Sequence, residues 1–122
     1  MKKLILAMLL LSASTAFADD GDTLLHACQI ALRDNDSGFT MRMSHQDKFY
    51  EGACMGAVHG VVDTAYFLGV DFGIDVPERS TLDQNVRVVV KYLQEHPEEL
   101  HERDTVLIIR ALRHAFPHVD KK

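Results

Sequence analysis

The stretch that most constrains the fold is Phe49 to Leu68, FYEGACMGAVHGVVDTAYFL, in which no proline occurs and only Glu51, His59 and Asp63 are strongly polar. An apolar run of that length predicts a helix, because strands seldom exceed about eight residues. At about 100° per residue, Tyr50, Ala53, Cys54, Ala57, Val58, Val61, Ala65 and Leu68 share one broad face. Met55, His59, Val62 and Tyr66 make a second stripe on the other side. A helix that is apolar on two sides is expected to be buried on two sides, which predicts a central helix. Gly52, Gly56 and Gly60 recur at every fourth position. Each costs about 1 kcal/mol of helix propensity relative to Ala, so another backbone is expected to pack closely along them.

The chain opens like a secretory signal: Lys2 and Lys3, an apolar run from Leu4 to Leu11, then Ala16-Phe17-Ala18 as a small-residue cleavage site. That run is too short to span a membrane, and Asp19 stands where a lipoprotein needs cysteine. The expected mature protein, residues 19–122, is one exported domain free of the membrane. Taking Lys2 and Lys3 from the 13 basic residues leaves 11 against 18 acidic ones, a formal charge of −7. Such a balance argues against nucleic acid and against anionic membrane surfaces, and suits a basic partner. Cys28 and Cys54 are the only cysteines. In an oxidising compartment an even pair reads as a disulfide.

Along the mature chain, Asp22 is placed to cap a first helix running to about Arg33, with Leu24, Leu25, Cys28, Ala31 and Leu32 on one stripe. Asn35-Asp36-Ser37-Gly38 reads as a turn, and Phe39 to Met43 as loop. Ser44 with Asp47 resembles a capping box for the long helix. Thr81 with Gln84 starts a third helix in the same way. There Leu82, Val86, Val89, Val90 and Leu93 form one face, and Asp83/Arg87 and Lys91/Glu95 are spaced as i,i+4 pairs. His96-Pro97-Glu98-Glu99 is expected to stop that helix and begin a fourth, with Leu100, Leu107, Ile108, Ala111, Leu112 and Ala115 as its apolar stripe and Phe116-Pro117 as its end. The fold class is therefore all-α, a compact bundle of about four helices with a long central helix and one disulfide.

Reactive chemistry has no recognisable seat. The seven histidines show no H-E-x-x-H and no Cys/His spacing suited to zinc, so no metal and no cofactor are expected. No G-x-S-x-G, phosphate-binding glycine loop or paired carboxylates suggest a catalytic residue. Asp104 falls in the phase of the fourth helix's apolar stripe and is expected to reach water near a helix end. The stripe Met55, His59, Val62 and Tyr66 has two readings. Either neighbouring helices cover it, or it contacts a subunit or partner. Phe39, Met41, Met43, Phe72 and Ile74 stand without helical period in 34–43 and 69–79, the loops expected to touch a partner.

The run Gln84 to His101, with its phrase V-x-K-Y-L-x-x-H-P-E-x-L-H, carries a resemblance. Together with Ala111-Leu112, Ala115-Phe116-Pro117 and Cys54-x-Gly56-x₃-Gly60-Val61-x-Asp63 it resembles the Rap/Tai family, exported immunity proteins of type VI secretion systems. The resemblance runs from Leu24 to Pro117. It implies a small helical periplasmic protein, often a homodimer, that plugs the active-site groove of a peptidoglycan-cleaving cysteine-histidine amidase. It matches Cys28 and Cys54 to the family's first disulfide. Where relatives often carry a second cysteine pair, this sequence has Asp75 and His118. An ion pair there would be worth only about 0–1 kcal/mol if exposed, and the C-terminal segment is expected to be looser than in such relatives. A different class of function, a small periplasmic structural or acid-stress chaperone, fits the same size and single disulfide. It would expose apolar surface as carboxylates and histidines protonate.

Overall fold

A computed structural model describes residues 20–68 and 71–119. The expected signal and cleavage site lie outside the described residues. Among the described residues four helices follow one another: α1 (Gly21–Asp36), α2 (His45–Phe67), α3 (Leu82–Glu95) and α4 (Asp104–Ala115), with a 3₁₀ turn at Pro97–Glu99 between the last two. No strand occurs among the described residues, only isolated bridges at Asp20/Arg103 and Ile74/Pro117. Nor is any helix among them long and apolar enough to cross a membrane.

The cap of α1 is Asp20, not Asp22: its carboxylate accepts from the Thr23 N–H at 2.9 Å. Those hydrogen bonds from Thr23 hold the Asp20 carboxyl below the usual range. The shift of start has a packing reason. Gly21 N–H donates to the Glu102 carbonyl at 3.0 Å. A Cβ on Gly21 would lie 2.4 Å from Leu107 Cδ1 and 2.9 Å from the Leu100 Cα, so only glycine fits this seat against α4. The helix also runs three residues beyond Arg33, to Asp36. Gly38 and Phe39 then turn the chain with φ of +66° and +61°.

Ser44 caps α2, accepting from Asp47 N–H at 3.0 Å. The expectation that α2 is buried on two sides fails. Its fully buried residues are Cys54, Val58 and Val61, all on one side, while Gly52, Ala53, Gly56, His59 and Gly60 are exposed. A Cβ added at Gly52, Gly56 or Gly60 would meet nothing within 4 Å, so among the described residues no backbone packs on the glycines. Three partners on one side of α2 suffice to close the core, and the opposite side is left to solvent.

The rest of the bundle follows the periodicity. Thr81 and Gln84 form the reciprocal capping box of α3, and Val86, Val89 and Leu93 are fully buried beside Leu107, Ile108 and Leu112 of α4. The Asp83–Arg87 pair closes at 2.9 Å and the Lys91–Glu95 pair at 3.9 Å. Arg87 also reaches Asp36, and Asn35 Nδ2 donates to Asp83 Oδ1 at 2.8 Å, which joins the end of α1 to the start of α3. One boundary differs from expectation: Pro97–Glu99 is a separate 3₁₀ turn and α4 begins only at Asp104. The turn is held by its own contacts. Tyr92 Oη donates to Glu99 Oε2 at 3.0 Å, and Arg110 bonds the same carboxylate at 3.1 Å. Asp104 sits in the first turn of α4, where its carboxylate accepts from Thr105, so it lies at a helix end.

Two ties close the fold. Cys28 and Cys54 form a disulfide with Cα atoms 5.1 Å apart, both side chains fully buried between α1 and α2. The second tie is main-chain. Asp75 N–H donates to the Phe116 carbonyl at 2.8 Å, and His118 N–H to the Gly73 carbonyl at 3.1 Å. Asp75 and His118 thus stand on facing segments, joined through their main chains.

Candidate functional site

The C-terminal half of α2, the segment 74–80 (extended to Pro77, then a turn that Ser80 N–H closes on the Pro77 carbonyl) and the first turn of α3 enclose an open cleft of about 710 Å³. Pro77 and the residues around it cannot continue a helix, so the segment passes α2 as extended chain and leaves a gap beside it. His59, Val62, Tyr66 and Ile74, four of the residues expected to contact a partner, line this one cleft. Asp63, Asp75 and Glu78 line it too, and no Lys or Arg does. At its inner end the Ser80 hydroxyl donates to the buried Asn85 Oδ1 at 2.6 Å. At its mouth Tyr66 and Phe67 are 66% and 74% exposed, their rings edge to face with centroids 5.0 Å apart. Leu68, the next residue, is as bare as Phe67.

The remaining expected contact residues are elsewhere. Met55 is half-buried against the core. Phe72 is half-buried, and its carbonyl accepts from Arg113 Nε at 2.8 Å. Phe39 and Met41 are exposed on the loop between α1 and α2 and do not line the cleft. The cleft residues missed in the sequence include Phe67 and Asn85, and the exposed Leu68 beside the cleft was missed as well. Asn85 carried a signal, a polar side chain beside Val86 at the buried face of α3. Phe67 and Leu68 were hidden by the assumption that so apolar a helix end must be covered.

Chemically the cleft is suited to contact. His59 Nδ1 lies 3.2 Å from Asp63 Oδ2, but both side chains are substantially exposed, and such a surface pair contributes only a few tenths of a kcal/mol. Both cysteines are in the disulfide. Among the described residues no group of three or more His, Cys, Asp or Glu could hold a metal ion. The most connected polar cluster lies away from the cleft, around Glu99. Burial pushes the Glu99 carboxyl up, but the Tyr92 hydroxyl and the Arg110 guanidinium outweigh it and hold the group below its ordinary value. His96 stacks on Tyr92 with centroids 4.1 Å apart and has Nδ1 2.8 Å from the Tyr92 carbonyl. These contacts brace the turn between α3 and α4.

The helical body just described, from the α1 cap at Asp20 to the bridge residue Pro117, is also what matches a known family. The model of the Rap1a immunity proteins matches residues 20–117. The chain belongs to the Rap1a immunity protein family. No curated protein and no solved structure matches it. Membership in the Rap1a family makes this an immunity protein directed against a secreted effector, so the partner it must meet is another protein. A protein partner needs surface, and the described surface of this Rap1a member concentrates its exposed large apolar side chains on α2, its C-cap Leu68 and the loop before it, with Val119 the exception.

Proposed function

We propose that the protein is a periplasmic immunity protein that binds a type VI secretion peptidoglycan amidase and inhibits it by covering its active-site groove. The observation that carries the binding face is the cleft, acidic along Asp63, Asp75 and Glu78 and rimmed by the exposed Tyr66 and Phe67. An apolar rim around acidic groups is the anatomy of a protein contact: aromatic anchors desolvate, while the charges steer and orient a basic surface. The formal charge of −7 expected after signal removal supports steering toward a cationic wall-binding enzyme. Inhibition then requires no chemistry from this chain, only a footprint large enough to exclude substrate.

Co-expression in the periplasm with a candidate amidase tests the reading. The wild-type protein is expected to restore growth and to co-elute with the toxin. The double charge reversal Asp75→Lys/Glu78→Lys, both at exposed positions, should abolish both effects while leaving the helical signal and melting temperature intact. Failure of the wild type to rescue growth against the candidate amidases, together with no complex on gel filtration, refutes the proposal.

A further inference from the structure

One wall of the cleft is a backbone whose hydrogen-bonding groups are used on one side only. Across the Ile74/Pro117 bridge, Asp75 N–H donates to the Phe116 carbonyl at 2.8 Å, and His118 N–H donates to the Gly73 carbonyl at 3.1 Å. In an extended chain successive residues turn their main-chain groups to opposite sides, so Ile74 and Val76 turn theirs away from the C-terminal segment. The N–H and carbonyl groups of both residues have no partner among the described residues. Their side chains pack against the core, which holds residues 74–76 in place as an edge. The cleft lies on the free side of that edge: Ile74, Asp75 and Val76 line it, whereas Phe116, Pro117 and His118 do not.

A deeper donor is also unused. Asn85, in the first turn of α3, is 3% exposed and lines the cleft. Its Oδ1 accepts from the Ser80 hydroxyl at 2.6 Å, and its Nδ2 has no partner among the described residues. No side-chain nitrogen or oxygen among them is both unpartnered and shut away from solvent, so Nδ2 opens into the cleft. A donor in so buried a residue is aimed at an acceptor that this chain does not supply.

We infer that a short extended segment of the partner protein, carrying Lys or Arg, lies in the cleft as a strand added to residues 74–76, with Asn85 Nδ2 donating to one of its carbonyls. The placement rests on the reading of the cleft as the face that binds the partner. Main-chain bonds at Ile74 and Val76 hold the segment. Its cationic side chains meet Asp75, Glu78 and Asp63, the last shared with His59 at 3.2 Å. No Lys or Arg lines the cleft to oppose them, and an acidic segment would be repelled. Tyr66, 66% exposed at the mouth, offers a ring face to a cation. Other occupants fit less well. A helix has its main chain already bonded within itself and would leave the edge unmet. A small cation would meet the carboxylates and none of the donors. The volume of about 710 Å³ falls within the roughly 300–1,000 Å³ of sites that enclose a ligand of a few residues.

The probe is a blocked peptide, acetyl-Thr-Lys-Val-Arg-Val-Lys-Thr-amide, titrated into isotope-labelled mature protein and followed by NMR. Binding with a Kd below about 1 mM is expected, with shifts at the Ile74 and Val76 amides and at the Asn85 side-chain amide. The Ile74 and Val76 amides should exchange with solvent at least about tenfold more slowly in the complex, while the Asp75 amide, bonded already, changes little. Two analogues, N-methylated at residues two, four and six or at three and five, keep every side chain but block opposite edges of the peptide. One should lose at least about tenfold in affinity, and the other should keep it. Val76→Pro removes an N–H that has no partner within the chain, at a position that Pro77 already holds extended. It should keep the melting temperature of the wild type and weaken the peptide at least about tenfold. Equal affinity of the two analogues would mean that charge alone is read, and it overturns the inference. So does absence of binding at millimolar peptide, or a Val76→Pro protein that binds as the wild type does. Peptide binding without growth rescue sinks only the amidase reading; rescue without peptide binding sinks only the added strand.

Discussion

Removing the disulfide measures how much of the bundle depends on α1 being held to α2. The bond closes a separation of 26 residues. In the chain-entropy model a loop of that size constrains the unfolded state by about 3.5 kcal/mol, and the two buried sulfur positions vacated by Cys28→Ala/Cys54→Ala add a packing loss of about 1 kcal/mol. For a body of about 100 residues a loss of this size lowers the melting temperature by at least roughly 15 °C. The reasoning requires that α1 and α2 stay neighbours by packing alone once the bond is gone, because Ala27, Ala31, Val58 and Val61 share one buried cluster. The variant should therefore unfold early but cooperatively, and with a steeper urea dependence, since its unfolded chain is more expanded. The assay is paired thermal and urea unfolding of oxidised wild type, reduced wild type and the double variant. The last two should agree within about 1 kcal/mol, the packing difference between thiol and methyl. A double variant melting within about 3 °C of oxidised wild type would refute the argument, because the bond would then constrain nothing.

Gly21→Ala should destabilise the protein by about 1–3 kcal/mol in urea titration, since the new methyl must displace Leu107 and the Leu100 backbone. Gly52→Ala, with open space around it, should leave the isolated fold more stable by up to about 1 kcal/mol. Glu99 has a lowered folded value, so it contributes stability that is complete above its ordinary value of 4.5 and is lost as pH falls through the lower folded one. The stability gap between wild type and Glu99→Gln should therefore be widest near neutral pH and close in acid; a gap independent of pH contradicts the assignment. In hydrogen exchange the Asp75 and His118 amides, both donated to carbonyls across the Ile74/Pro117 bridge, should exchange at least about tenfold more slowly than free-chain rates. Free-chain exchange at both would instead mark the C-terminal segment as loose.

What could be read from the sequence was what local physics decides. Capping at Ser44 and Thr81, the valine stripe of α3 and the pairing of Cys28 with Cys54 each depend on residues a few positions apart or on simple parity. The boundaries that moved did so for tertiary reasons. Glycine at position 21 is required by Leu107, which lies 86 residues further along the chain, and α4 starts late because Glu99 is engaged by Tyr92 and Arg110. The cleft was half legible. Loop 69–79 and the stripe through His59 and Tyr66 were singled out separately, but their meeting depends on how α2 passes the extended segment, and no periodicity encodes that. The exposure of Phe49, Phe67 and Leu68 was illegible for a different reason: hydropathy records that a side chain avoids water, without saying whether its own chain or another covers it.

That ambiguity bears on function. A helix designed only to hold a bundle together would keep its apolar residues on the buried side and place good helix formers such as Ala, Glu or Lys on the other. α2 departs from that on its outer side. It fully buries Cys54, Val58 and Val61 and ties Cys54 to α1 through the disulfide, yet it turns outward glycines at which an added Cβ would meet nothing within 4 Å, and leaves Phe49, Tyr66 and Phe67 exposed. Within a single copy this arrangement is costly in propensity and in exposed apolar surface alike. Covered by a bound partner at the cleft beside Tyr66, as proposed above, the same apolar surface becomes favourable. For an immunity protein that requirement is natural, because its activity is a binding event, and the free energy for that event must be held in surface that the folded monomer leaves uncovered.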